Sequence, residues 1–296
     1  FVYSFFRRLL GLLIIGTLHA IFLYHGDILA TYALMGIILY CLRHQTDRFL
    51  IIVASCLIVL TSLCWFWVAL DSSNSTMNIP AWINFLQQKQ TKFLGNWTAI
   101  IHQHWIEWQS TSLITIFMQA PTALAMFCLG LIAGRKQIFL NFQLYQKQAI
   151  ILCIIGLFIG LPIAIFYGYT TTYLQNPQTE LIAFALNILT GPLLCITYIV
   201  LAFRFYQTNI GQKLSQIFIP VGKTALSNYI LQSLICTFIF FGIGFGLMGQ
   251  LTPTQTIIIA FAIFLIQCLF SYLWLNHFKY GPLEWVLRCF TKWQWS

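Results

Sequence analysis

The chain has 296 residues, of which 59% are hydrophobic, 17% aromatic and only 7% charged. A water-soluble domain carries roughly a quarter charged residues, so a fold in water is excluded and an all-α polytopic membrane protein, a transmembrane helix bundle, is the class that fits. The net charge of +9 would suggest nucleic acid in a soluble protein, but its distribution along the chain reads as a topology signal, and nucleic acid is not expected as a partner.

The first residues, FVYSFFRRLLG, carry neither an initiator Met nor the charged-then-apolar pattern and cleavage site of a signal peptide. The chain is expected to be a fragment. Eight apolar runs follow, at about 9–25, 28–42, 49–70, 113–134, 149–169, 181–203, 225–249 and 255–275. Most have the roughly 20 residues needed to cross a bilayer core, and backbone satisfaction in lipid makes them helices. The second is short.

Loops between the runs alternate in charge. Arg7, Arg8, Arg43, Arg48, Arg135, Lys136, Lys147, Arg204, Lys213, Lys223, Lys279, Arg288 and Lys292 fall on one side, and only Lys89 and Lys92 on the other. Basic loops stay in the cytoplasm, which predicts a multi-pass protein of a bacterial cytoplasmic (inner) membrane with its C-terminus in the cytoplasm. The whole of 1–296 reads as one membrane-embedded domain.

In the first outer turn, LHAIFLYHGDILATYALMG (18–36) sets His19, His25 and Asp27 among apolar residues. Counting from Leu9 at about 1.5 Å per residue, His19 lies about 15 Å along its helix, near the middle of a core about 30 Å thick. An imidazole at that depth needs a partner or a watery cavity, and its neutral form suits a general base or acyl carrier. Asp27 after Gly26 has the pattern of a helix cap, a role compatible with chemistry. His25 reads as interfacial and solvated.

The long outer loop, 71–112, opens with the turn-rich DSSNSTMNIP. It then carries Trp97, Ile101, Trp105 and Trp108 at spacings of four, four and three. That makes an apolar stripe on a helix lying at the outer surface, with His102, Gln103 and Glu107 facing elsewhere. His102, His104 and Glu107 read as a solvated face rather than a metal site, and nine singly scattered cysteines give no zinc spacing; no metal is expected. Further on, Pro121, Pro162 and Gly191-Pro192 mark kinks, and Gly156-x-x-x-Gly160 and Gly242-x-x-x-Gly246 mark close helix approaches.

Near the start of the seventh run, Asn228 and Gln232 share a helix face, flanked by Tyr229 and Ser233. Four polar side chains so placed suggest an interhelical hydrogen-bond network. Glu284 and Arg288, also four apart, suggest a surface ion pair. Arg7, Arg8 and Arg43 have the chemistry to hold an anionic group such as a phosphate.

Three blocks, RRLLGLLIIGTLHAIFLYHGDILATYALMG, VGKTALSNYILQS and WLNHFKYGPLEWVLR, together resemble the YeiB-like family of bacterial membrane proteins, domain of unknown function 418. The resemblance runs from Arg7 to about Trp293 and is weakest between 71 and 180. It matches the paired arginines to Arg7 and Arg8, the helix histidine to His19, and the Gly-Asp-Ile-Leu motif to Gly26–Leu29 with Tyr32 beyond. Asn228, Tyr229, Gln232 and Ser233 match the later polar motif, and Tyr280, Gly281, Pro282, Glu284, Trp285 and Arg288 the terminal one. Lys223 departs from the pattern, which favours Arg there.

The family has no settled activity. Its distant similarity to integral-membrane acyltransferases implies transfer of an acyl group from cytoplasmic acyl-CoA to a lipid or glycan acceptor outside, with no permanently bound cofactor. On that reading His19 and Asp27 are the candidate catalytic pair. The candidate substrate-binding set is Arg7, Arg8, Tyr32, Arg43, Asn228, Tyr229, Gln232, Glu284 and Arg288. The alternatives are a secondary transporter of a small molecule or lipid-linked substrate, or a non-catalytic membrane component.

Overall fold

A computed structural model describes residues 2–72, 79–174 and 176–293; most of the polar stretch at 71–80 lies outside the described residues. Among the described residues the fold is all helical. Six helices among these residues are long and apolar enough to cross a membrane, and the helices Leu29–Leu42 and Ala225–Phe240 are shorter apolar ones. These eight segments are the eight runs of the sequence, and the chain is a helical, multi-pass membrane protein. At about 1.5 Å per residue the two short helices rise roughly 21–24 Å, less than the hydrocarbon thickness. Large apolar side chains point outward, with Phe158 78% and Phe261 68% exposed, as lipid rather than water requires.

The chain divides into two compact units, the first of residues 1–34, 78–115 and 212–296, the second of 35–77 and 116–211.

The second unit is built around α8 (Pro177–Tyr206), against which α3 (Asp47–Ser72), α6 (Gln146–Ile155) and α7 (Leu161–Tyr169) pack. Ser62 on α3 donates to the carbonyl of Ala185 at 2.8 Å, a bond worth making where no water competes. Between α6 and α7 the residues Gly156–Gly160 form a π-turn. Pro162 lacks the N–H its helix would use and its ring crowds the preceding turn, so the helix widens there. A Cβ at Gly156 would run into Thr197 and the carbonyl of Leu193, so this glycine pair does mark a close approach of helices. A second core joins Met35 on α2 (Leu29–Leu42), Leu50 and Ala54 on α3, and Leu124, Ala125 and Cys128 on α5 (Trp97–Arg135). Arg135 closes its basic end by donating to the carbonyls of Arg43 and Gln45 and to Asp47.

In the first unit α1 (Val2–Phe22) packs against α12 (Pro282–Lys292), and α10 (Ala225–Phe240) packs against α12 and α11 (Pro253–His277). Two expectations change here. The run 225–249 is not one helix: α10 stops at Phe240, and 241–249 folds back in turns. Gly242 and Gly246 therefore form no helix-packing motif. Gly242 instead brings its N–H to the carbonyl of Phe93 at 3.0 Å, the C-terminal residue of α4 (Ile79–Phe93).

The tryptophan-rich helix forms as the first turns of α5, which runs on unbroken for 39 residues. Of its polar residues His102 is exposed as expected, but the rest of the stripe turns inward. Gln103, His104 and Glu107 are buried, while Trp97 and Trp105 are exposed, free to meet the headgroup zone.

Candidate functional site

The polar groups of the first unit gather where the turn after α1 meets the middle of α10. Asp27 caps α2, its Oδ2 accepting the N–H of Ala30 at 2.9 Å. Its other oxygen, Oδ1, accepts from Nδ1 of His19 at 2.9 Å and from the Tyr229 hydroxyl at 3.2 Å. On the far side of the ring, Nε2 of His19 stands 2.8 Å from Oγ of Ser233. His19 is 3% and Asp27 7% exposed. Capping and pairing are thus divided between the two oxygens of one carboxylate.

A carboxylate only accepts, so Nδ1 of His19 carries the hydrogen shared with Asp27; in the neutral imidazole Nε2 then presents its lone pair and accepts from the Ser233 hydroxyl. The result is a hydroxyl, an imidazole and a carboxylate in line, the arrangement that lets a serine or a bound alcohol give up a proton. Gly16 makes room for it. A Cβ there would lie 2.5 Å from Oδ2 of Asp27 and 2.6 Å from the N of Ala30, so only glycine lets the cap lie against α1.

Ser233 and Tyr229 line a largely apolar cavity of about 580 Å³, with Leu23, Ile28, Cys236 and Met248 among its walls. That volume is within the roughly 300–1,000 Å³ of small-molecule sites. Gln232 lines it too.

Asn228 belongs to a different group. Its Nδ2 donates to Thr224 at 3.0 Å and to Ser271 at 2.8 Å, and Gln267 donates to its backbone carbonyl at 2.8 Å. This is an interhelical network joining α10 to α11, but of the four residues expected in one it holds Asn228 alone, which is buried in it rather than facing the cavity. Glu284 likewise turns from its expected partner Arg288. It accepts from the N–H groups of Leu226 at 2.7 Å and Ser227 at 3.0 Å, and from the Ser227 hydroxyl, capping α10. The carboxylate is drawn there because the first N–H groups of a helix have no partner within it.

Arg288 instead lies over the Tyr280 ring at 4.6 Å. It lines a cavity of about 800 Å³ with His277, Lys279, Lys292, Trp274 and Trp285. A smaller neighbouring space of about 360 Å³ is lined by Arg8, Glu284, Arg288 and Lys292. Arg7 lies 5.3 Å over the Trp293 ring. Tyr32 stands on a partly exposed face of α2, outside the lining of these cavities. Arg43 belongs to the second unit, where it stacks 3.5 Å over Tyr40.

A further cluster lies toward the start of α5. Glu107 accepts from Lys89 at 2.8 Å and from Gln103 at 2.7 Å. Burial pushes the Glu107 carboxyl up, but those bonds and the charge of Lys89 outweigh it and hold it below its ordinary value. His104 is fully buried. Burial first, and then His25 beside it, lower it to about 4, against the opposing charge of Glu107. His25 is half-buried rather than solvated, its ring 5.8 Å from that of His104, and burial lowers it too. Both ring nitrogens of His104, Nδ1 of His25 and Oε1 of Gln103 find no hydrogen-bond partner among the described residues.

Sequence reasoning named His19, Asp27 and Tyr229 but treated Ser233 as part of a packing stripe, and it passed over Gly16. Ser233 sits four residues after Tyr229 on the same face of α10, the one signal that could have joined it to the pair. Gly16, three residues before His19, gives no signal until α2 is seen beside it.

The chain is 29% identical over its full length to an uncharacterised protein, YxaH, of Bacillus subtilis (strain 168), covering 73% of it. It is 29% identical, over 96% of its length and 74% of the relative, to an uncharacterised protein, YeiB, of Escherichia coli (strain K12). An uncharacterised 39.9 kDa protein of Bacillus acidopullulyticus is 32% identical over 60% of this chain and 53% of the relative. No solved structure matches significantly. The model for "Protein of unknown function (DUF418)" matches residues 133–294, more than half of the chain, and the chain belongs to that family.

Proposed function

We propose that this protein is a membrane-embedded acyltransferase. It takes an acyl group from acyl-CoA on the cytoplasmic side of a bacterial inner membrane and passes it to a hydroxyl acceptor, a lipid or glycan, on the outer side. The observation that carries the reading is the Ser233–His19–Asp27 chain, its imidazole and carboxylate buried, with contacts of 2.8 and 2.9 Å and Ser233 lining an apolar cavity. Acyl transfer needs a positioned base, an orienting group for it and a space that excludes water from the reactive acyl carbon. His19, Asp27 and that cavity match those needs.

The basic cavity around Lys279, Arg288 and Lys292 suits the donor. Its cations answer the phosphates of CoA, and Trp274 and Trp285 offer faces on which an adenine ring would stack. Glu284, which lines the smaller neighbouring space, holds the start of α10, the helix that carries Ser233. Ser233 lies six residues along that helix from Ser227, a rise of about 9 Å.

The test is acyl transfer by purified protein in nanodiscs, with radiolabelled acyl-CoA and membrane lipid as acceptor. Transfer is expected and should vanish in His19→Ala. Absence of any acyl-CoA-dependent labelling, or full labelling by that variant, would remove the reading. A secondary transporter is the second reading, favoured by the unpartnered buried nitrogens of His25 and His104, which suit a proton path. Its sign would be substrate flux in proteoliposomes without acyl-CoA.

A further inference from the structure

We infer that Ser233 is a nucleophile that carries the acyl group as an ester between donor and acceptor, so that the enzyme works by double displacement through a seryl intermediate. The inference rests on the acyl-transfer reading for the identity of the donor, but the reactivity of Ser233 rests on geometry of its own.

Hydroxyls inside membrane helices ordinarily bond back to the carbonyl four residues earlier. Several threonines of this chain follow that habit, while Ser62 leaves its helix for the carbonyl of Ala185. Thr17 donates to Leu13 at 2.8 Å, Thr61 to Leu57 at 2.8 Å and Thr197 to Leu193 at 2.9 Å. Ser233 does not. Its Oγ stands 3.4 Å from the carbonyl of Tyr229, beyond a good O–H···O bond, and 2.8 Å from Nε2 of His19. The hydroxyl has left its own helix for an imidazole whose tautomer Asp27 sets for accepting a proton. A serine needed only to join two helices requires no such orienting carboxylate behind its partner. Ser233 also lines a cavity with apolar walls, where an acyl chain would lie.

The chemistry balances without any further reactant. Oγ of Ser233 bonds to the thioester carbonyl carbon as its proton passes to Nε2 of His19. The C–S bond breaks, and Nε2 returns the proton to the departing thiolate, leaving a free thiol and a seryl ester. The acceptor hydroxyl then attacks the ester carbonyl, losing its proton to Nε2. The C–Oγ bond breaks and the proton goes back to Ser233. Gln232, lining the same cavity, offers an N–H of the kind that steadies the oxyanion in each step.

The test treats the full-length protein in nanodiscs with an alkyl fluorophosphonate, which reacts with activated serines whatever their natural substrate. In parallel it is treated with radiolabelled octanoyl-CoA without acceptor, and both adducts are located by tandem mass spectrometry. Modification of Ser233 is expected, absent in Ser233→Ala, about 100-fold or more slower in His19→Gln, and retained in Cys236→Ser, which removes the neighbouring thiol as the labelled group. Ser233→Cys should trap a thioester, and thermal unfolding of each variant shows that it is folded. Folded protein with no adduct on Ser233 from either reagent overturns the inference. If that protein still transfers acyl groups in a His19-dependent way, acyl transfer stands and His19 acts on the acceptor directly. A fluorophosphonate adduct with no turnover of acyl-CoA upholds the nucleophile and removes the donor.

Discussion

His19 and Ser233, 214 positions apart, meet at 2.8 Å between Nε2 and Oγ. Nothing in the sequence around either residue announces the other, yet the contact turns a buried histidine, costly if alone, into the centre of a hydrogen-bonded chain that ends on Asp27.

That chain makes Asp27→Asn informative. Asparagine can still cap α2 by accepting from Ala30, so the unfolding temperature should fall only slightly, by the equivalent of about 1 kcal/mol or less. Its amide, however, would donate to Nδ1 and move the imidazole proton to Nε2, where it faces the serine. Acyl transfer should fall by about 10⁴-fold, the cost of the same change in the serine-protease triad. A fall of tenfold or less, measured with radiolabelled acyl-CoA, would show that the tautomer is unimportant.

Gly16→Ala should damage the site from outside it. The added methyl would sit 2.6 Å from the backbone N of Ala30 and 2.5 Å from Asp27, so α2 must move. A loss of about 1–3 kcal/mol is expected, with activity falling alongside. Gly130→Ala is the control: nothing lies within 4 Å of its Cβ position, and in a helix interior the change should be neutral or stabilising by up to about 1 kcal/mol. Equal unfolding temperatures for the two variants would contradict the packing.

Glu284 separates capping from ion pairing. If it holds the start of α10, Glu284→Ala should cost about 1–2 kcal/mol, Glu284→Gln less, because an amide oxygen still accepts from Leu226 and Ser227. Arg288→Ala should leave stability nearly unchanged and instead raise the KM for acyl-CoA, with kcat preserved and the effect weakened by salt. A larger stability loss from Arg288→Ala than from Glu284→Ala would reverse these roles.

The cluster at the start of α5 predicts acid sensitivity. Above about pH 6.5, His104 is neutral in folded and unfolded chains alike, and its contribution is whole. As the pH falls from 6.5 toward 4, the unfolded chain takes up a proton that the buried ring refuses, so unfolding is favoured by up to about 3 kcal/mol. His25, lowered in the same direction, steepens the loss. Glu107, held below its ordinary value, adds a further loss as the pH falls below the ordinary glutamate range and then through its folded value. Unfolding temperatures between pH 4 and 8 should show the decline, and His104→Leu should flatten most of it between 4 and 6.5. An unchanged slope in that variant would assign the decline elsewhere.

Composition and the spacing of apolar runs determined the class, the helical character and the eight apolar segments, because lipid leaves a backbone no other way to satisfy its hydrogen bonds. The motif around Gly26 and Asp27 was also legible, since a cap is a local device read within four residues. Tertiary structure alone decided the partners. It decided that Glu284 would face α10 rather than Arg288, and that Gln103, His104 and Glu107 of α5 would be buried while Trp97 and Trp105 are exposed. It also ended α10 at Phe240 within an unbroken apolar run, and led Ser233 to abandon its own helix for His19. The physical reason is common to all four. Hydropathy reports how much a residue avoids water, but in a membrane both faces of a helix avoid water, so which polar group meets which is settled only by the helices that come to lie beside it.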